Sequence, residues 1–115
     1  MRVLVTGGVR SGKSAHAESL LASDESVTYL ATSATHADDA DWLARVAAHR
    51  ARRPASWHTV ETVDLAGGVR SVRPGDALLL DSLGTWLAAW VDDRNGWDAA
   101  AASLRGPLLD DVEAA

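Results

Sequence analysis

A short apolar run, Val3-Leu4-Val5, leads straight into Gly7-Gly8-Val9-Arg10-Ser11-Gly12-Lys13-Ser14, which fits the phosphate-cradling pattern G-x-x-x-x-G-K-S/T. Strand, tight loop and helix must then follow one another in that order. Glycine at both ends of the loop lets the backbone turn back and aim successive N–H groups at an anion that a side chain would keep away. Lys13 is placed to reach outer phosphates and Ser14 to ligate Mg²⁺, while the helix beginning near Gly12 turns its positive end toward the same anion. Of the eleven Lys and Arg residues Lys13 is the only lysine, a compact ammonium kept where phosphate chemistry suits it. The pattern implies a nucleotide-binding chain; the rival, a glycine-rich turn with a chance Lys-Ser, does not explain the strand before it or the helical stretch after it.

With 115 residues the chain allows one domain, residues 1–115, and a modest core that removes roughly two thirds of the unfolded surface from water. The formal charge of −5 with scattered acids argues against nucleic-acid or membrane-surface binding, which calls for a basic face. The basic cluster Arg50, Arg52 and Arg53 is local and reads as aimed at a small anion. Cysteine is absent, so neither a disulfide framework nor a thiolate metal site is available, and an intracellular, cytoplasmic location is expected. The first residues run into the glycine loop without the succession of a secretory signal. The apolar stretch 77–91 is interrupted by Asp81 and is too short to span a bilayer, so no membrane insertion is expected.

Further along, strand-like and helix-like periodicity alternate, the pattern of an α/β domain on a mostly parallel sheet. Strands are expected at Arg2 to Thr6, Val27 to Ala31 and Asp76 to Leu80, with an ambiguous extended segment at Trp57 to Val63. Helices are expected at Lys13 to Ala22, Asp38 to Arg50, Asp64 to Val72 despite Gly67 and Gly68, Leu83 to Val91, and Trp97 to Leu104, where Gly106-Pro107 interrupts.

Asp81 closes a buried strand, which is where a phosphate-loop site keeps the carboxylate that stands near Mg²⁺; capping the next helix is its competing role. On a helix Trp42, Val46 and His49 share one face, with Arg45 four residues before His49. Neighbouring cations favour a neutral, nucleophilic imidazole and the negative helix end opposes them, so the residues alone leave His49 open between a nucleophile and a solvated histidine. His16, His36 and His58 read as surface or hydrogen-bonded residues, with no zinc spacing.

Taken together, T-G-G-V-R-S-G-K-S, Y-L-A-T-S at Tyr29 to Ser33, R-V-x-x-H-R-x-x-R-P-x-x-W-x-T-x-E at Arg45 to Glu61 and L-L-L-D at Leu78 to Asp81 resemble the bifunctional adenosylcobinamide kinase/adenosylcobinamide-phosphate guanylyltransferase family of cobalamin biosynthesis. The histidine-to-glutamate block is the most specific part. The resemblance implies a P-loop NTPase-like three-layer α/β fold, incomplete at its C-terminal end because family members continue through a further buried strand and helices. It implies phosphorylation of adenosylcobinamide, then GMP transfer from GTP to adenosylcobinamide phosphate through a GMP-histidine intermediate. His49 matches the nucleophile and, with Lys13, forms the implied catalytic pair. Gly7, Gly8, Val9, Arg10, Ser11, Gly12, Lys13, Ser14, Thr32, Ser33, Ala34, Arg50, Ala51, Arg52, Arg53, Glu61 and Asp81 are the implied nucleotide contacts, with Ser14 and Asp81 on the metal. Asp81 stands where relatives often carry Glu. GTP, ATP and Mg²⁺ are the implied cofactors, the corrinoid and its phosphate the small-molecule partners, and a homo-oligomer the implied assembly.

Overall fold

A strand buried on both faces must be apolar on both, and Val27-Thr28-Tyr29-Leu30-Ala31 satisfies that condition because Thr28 and Tyr29 find hydrogen-bond partners. In the computed structural model, which describes residues 2–23, 26–32, 38–99 and 101–115, this run is β1 (Val27–Ala31). It lies at the centre of a three-stranded parallel sheet between β2 (His58–Glu61) and β3 (Ala77–Asp81). The register sets Tyr29 opposite Thr59 and Leu79, and Ala31 opposite Glu61 and Asp81. All three strands therefore end together, with Glu61 and Asp81 on one carboxyl edge.

Helices return the chain between strands: α1 (Lys13–Leu20) before β1, α2 (Ala40–Arg52) before β2, and α3 (Leu65–Arg70) before β3. After β3 come α4 (Leu83–Asp93), a 3₁₀ turn at Gly96–Asp98 and α5 (Ala101–Ala114). Their starts have local causes. Asp39 caps α2 by accepting from the Trp42 amide, Asp64 caps α3 by accepting from the Gly67 amide, and Ser82 with Thr85 forms a capping box on α4. The capping role open to Asp81 thus belongs to Ser82.

Alternation along β1 divides the core into two layers. Val27, Tyr29, Trp57 and Leu79 pack on one face of the sheet with Ala17 and Leu21 from the α1 side. Leu30, Leu65, Trp86 and Trp90 pack on the other, joined by Val60, Val69, Leu80, Leu104 and Leu108. Helices on both faces of a parallel sheet give three layers, as expected.

Two expectations fail. Arg2 to Thr6 is not a strand: Val3 and Leu4 are 58% and 78% exposed. An apolar run becomes a strand only through a ladder partner, and among the described residues β1, β2 and β3 pair with one another and leave this run outside the sheet. The second failure is at Gly106-Pro107, which does not end a helix, because α5 runs through Pro107. A proline forfeits one helical hydrogen bond; here Leu104 and Leu108 on either side of it dock on the Trp86–Trp90 cluster, and that burial outweighs the loss. No helix among the described residues is long and apolar enough to cross a membrane.

Candidate functional site

The glycine loop has the backbone its sequence calls for. Arg10 and Gly12 adopt positive φ of 57° and 85°, and a Cβ on Gly7 would lie 2.5 Å from the Ser11 hydroxyl oxygen. The Ser11 amide donates to the Gly8 carbonyl at 3.2 Å, and Lys13 Nζ curls back onto the same carbonyl at 3.1 Å. Unlike the first turns of α2, α3 and α4, that of α1 has no side-chain cap, so its amides are left for solvent or an anion. Gly7, Gly8, Val9, Arg10, Ser11 and Gly12 are exposed, and Lys13 and Ser14 half-buried.

A cavity of about 670 Å³ opens at the carboxyl edge of the sheet, between the Tyr29 face and α2. Helical spacing builds one wall: Trp42, Arg45, Val46 and His49 recur at intervals of three and four residues, and Arg53 follows at the helix end. No residue of α2 is fully buried, so the helix stands off the sheet and leaves this space. Strand ends form the opposite wall, through Tyr29, Ala31, Glu61 and Asp81, with Thr62, Val63 and Thr85 at its side. His49, Arg53, Glu61 and Asp81 are thereby brought to one space. The glycine loop does not line it.

Parallel register explains the deepest contact. Tyr29, Leu79 and Asp81 share a face, and the tyrosine reaches diagonally past Leu79 to donate its hydroxyl to Asp81 Oδ2 at 2.7 Å. The Arg53 guanidinium lies 3.9 Å from the centroid of the same ring. Burial first, and then the Asp81 carboxylate, push the Tyr29 phenol above its ordinary range, while Arg53 opposes them.

The arginines divide by helical angle. At 100° per residue, positions 50 to 52 cannot all share the direction of His49 and Arg53. Arg50 pairs with Glu61, Arg52 pairs with Glu18 of α1 at 3.3 Å, and Ala51 is exposed off the cavity wall. Arg52 also lies 3.2 Å from His49 Nδ1. A guanidinium only donates, so a hydrogen bond here requires the tautomer in which Nδ1 accepts and Nε2 carries the hydrogen. Thr32 is fully buried with its hydroxyl donated to the Ser82 carbonyl at 2.7 Å, a tie between β1 and the start of α4. Ser33, Ala34 and His36 lie outside the described residues, while His16 and His58 are exposed.

Ser14 and Asp81 are hard oxygen donors of the kind Mg²⁺ takes. Tyr29 uses Oδ2 of Asp81, and Oδ1 has no protein partner among the described residues. These residues also include no group of three or more His or acidic side chains able to hold a metal. Two oxygen ligands are the number Mg²⁺ takes from a protein beside water and phosphate oxygens, but Ser14 is not among the residues lining the cavity that holds Asp81.

Trp42, Arg45 and Val46 lie on the His49 face that helical spacing gave, while the Tyr29 hydroxyl and Thr85 were missed. The shared parity of Tyr29 and Asp81 on two buried strands was the available signal for the first.

A three-layer α/β domain whose first helix opens on a glycine-rich phosphate-type loop, with a cavity of mixed polar and apolar lining at the carboxyl ends of its parallel strands, is the class defined here. Residues 3–114 match the family of cobinamide kinase / cobinamide phosphate guanyltransferase, and the chain belongs to that family. It is 39% identical over 116 residues to the bifunctional adenosylcobalamin biosynthesis protein CobU of Salmonella typhimurium, covering 88% of this chain and 59% of that protein. It is 49% identical over 90 residues to the bifunctional adenosylcobalamin biosynthesis protein CobP of Pseudomonas aeruginosa, covering 76% of this chain and 51% of that protein. The Escherichia coli CobU is 37% identical over 109 residues, with 88% and 59% covered. The chain thus spans little more than half the length of these relatives.

Proposed function

We propose that this chain carries the nucleotide chemistry of its family: phosphorylation of adenosylcobinamide from ATP or GTP, and transfer of GMP from GTP to adenosylcobinamide phosphate through a GMP adduct on His49. The observation that carries the reading is the single cavity shared by His49, Arg53, Glu61 and Asp81.

With its proton on Nε2, His49 holds its lone pair on Nδ1, next to Arg52. Arrival of the GTP α-phosphate draws the guanidinium from the ring onto phosphate oxygens, where a forked cation bonds best. Nδ1 then attacks the α-phosphorus, a P–N bond forms, and the P–O bond to pyrophosphate breaks with its electron pair leaving on pyrophosphate. In the second displacement an oxygen of the corrinoid phosphate attacks the same phosphorus, and the P–N pair returns to His49. Lys13 and the α1 amides hold the outer phosphates. Bound through Ser14 and Asp81, Mg²⁺ would offset charge on the departing pyrophosphate. The proposal includes a cytoplasmic homo-oligomer, for which light scattering during gel filtration is the measurement.

The test is incubation with GTP labelled at the α-phosphate. Label retained by the wild-type chain, released by acid and missing from His49→Ala supports the reading; a folded wild-type chain that takes no label contradicts it. The separation of the glycine loop from the cavity favours a second reading, a small-molecule phosphate-loop kinase or a nucleotide-binding module in which His49 is incidental. Transfer of the γ-phosphoryl group, or Mg²⁺-dependent GTP binding alone, without any covalent GMP would select it.

A further inference from the structure

We propose that Tyr29 is a positioning residue for the candidate metal-binding carboxylate, fixing Asp81 so that Oδ1 faces the cavity; the inference rests on the nucleotide reading given above. Tyr29 is 3% exposed on the central strand and belongs to the buried cluster of Val27, Trp57 and Leu79, which restricts the motion of its ring. Its hydroxyl donates to Asp81 Oδ2 at 2.7 Å, the length of a good O–H to carboxylate bond. One oxygen of Asp81 is thereby tied to the rigid centre of the sheet and the other is left for a cation.

Such an arrangement suits a carboxylate acting with few protein helpers. A metal held by phosphates, water and one or two side chains gains little from each protein ligand, so the entropy of orienting that ligand is a large share of what it contributes. An Asp with a pinned oxygen has already lost that freedom before the metal arrives. Arg53, stacked 3.9 Å from the ring centroid, also lines the cavity. Tyr29 therefore touches both the carboxylate and a cation able to meet phosphate.

The experiment uses the full chain and GTP with Mn²⁺ in place of Mg²⁺, free Mn²⁺ being read by its electron spin resonance signal and GTP binding by calorimetry. Tyr29→Phe removes only the hydroxyl. The expected result is a roughly five-fold higher metal concentration for half-saturation of the GTP complex, with GTP affinity in EDTA close to wild type and a melting temperature lower by a few degrees, as the loss of one part-buried hydrogen bond requires. Metal dependence equal to wild type overturns the proposal, as does an equal weakening with and without metal, which marks a merely structural contact. A second readout needs no variant. Tyr29 is the only tyrosine, so Cζ-labelled tyrosine gives one carbon resonance that reports its hydrogen bond. It should move when Mg²⁺ is added to the GTP complex of the wild-type chain and stay still in Asp81→Asn; no movement in wild type counts against the proposal. Absence of GMP labelling with metal-dependent binding intact would defeat the transferase reading and leave this inference standing.

Discussion

Gly68 and Leu30 give a quantitative test of the fold. Gly68 is buried on α3, and a Cβ there would lie 2.7 Å from Leu30 Cδ1 and 3.0 Å from both Leu30 Cδ2 and Thr62 Cγ2. Carbon atoms pack at about 3.5–4.0 Å, so Leu30, fully buried in its cluster, would have to give by about 1 Å. Gly68→Ala gains about 1 kcal/mol of helix propensity and loses about 2 kcal/mol to overpacking, a net destabilisation of about 1 kcal/mol. Leu30→Ala removes both clashing methyl groups and opens a cavity, costing about 3–4 kcal/mol. In that background the two Leu30 contacts are gone and only the 3.0 Å approach to Thr62 Cγ2 remains, which a few tenths of an ångström relieve, so the Gly68→Ala methyl partly refills the void and keeps most of its propensity gain. The same substitution then stabilises by about 1 kcal/mol, a coupling of about 2 kcal/mol. Urea unfolding followed by tryptophan fluorescence suits the measurement because Trp86 and Trp90 belong to the same cluster. Additivity within about 0.5 kcal/mol, or Gly68→Ala stabilising the wild type, would refute the packing of α3 on β1.

At the start of α4 the Ser82 hydroxyl accepts from the Thr85 amide at 3.2 Å, so Ser82→Ala should cost about 1 kcal/mol in urea unfolding; an unchanged midpoint would speak against the capping box. Tyr29 should show no phenolate absorbance at 295 nm until the chain unfolds, because burial and Asp81 raise its pKa above the ordinary value of about 10. The folded state holds this proton more tightly, so its contribution is complete below about pH 10 and falls as pH rises, by up to about 1.4 kcal/mol per unit. A phenol titrating near pH 10 in the native chain would contradict the Tyr29–Asp81 bond. Asp111 accepts from Trp90 Nε1 at 2.6 Å and pairs with Arg94 at 3.2 Å. Asp111→Ala should therefore cost about 1–2 kcal/mol and speed proteolysis within α5, and unchanged proteolysis would count against that clamp.

Local physics wrote much of this fold into the sequence. The buried run Val27 to Ala31 is β1 with the bounds its composition suggests, and α2 starts two residues later than expected because Asp39, rather than Asp38, meets the Trp42 amide. Pairing was not legible: Val3-Leu4-Val5 has the pattern of a buried strand, yet pattern does not name a ladder partner. Pro107 misled because its cost is local while the docking of Leu104 and Leu108 is tertiary. In the candidate site, the loop and the His49 face were visible as spacing. The bond between Tyr29 and Asp81, 52 residues apart, depended on register, and the partition of Arg50, Arg52 and Arg53 depended on which acids lay nearby.

In the proposed reaction His49 faces a triphosphate across the cavity it shares with Asp81. After reaction with GTP and Mg²⁺ and digestion under alkaline conditions that preserve P–N bonds, mass spectrometry of the peptides tests it most directly. One GMP adduct is expected, on His49, lost in His49→Ala and diminished in Asp81→Asn. An adduct on Lys13 or on His16, with His49 unmodified, would contradict it.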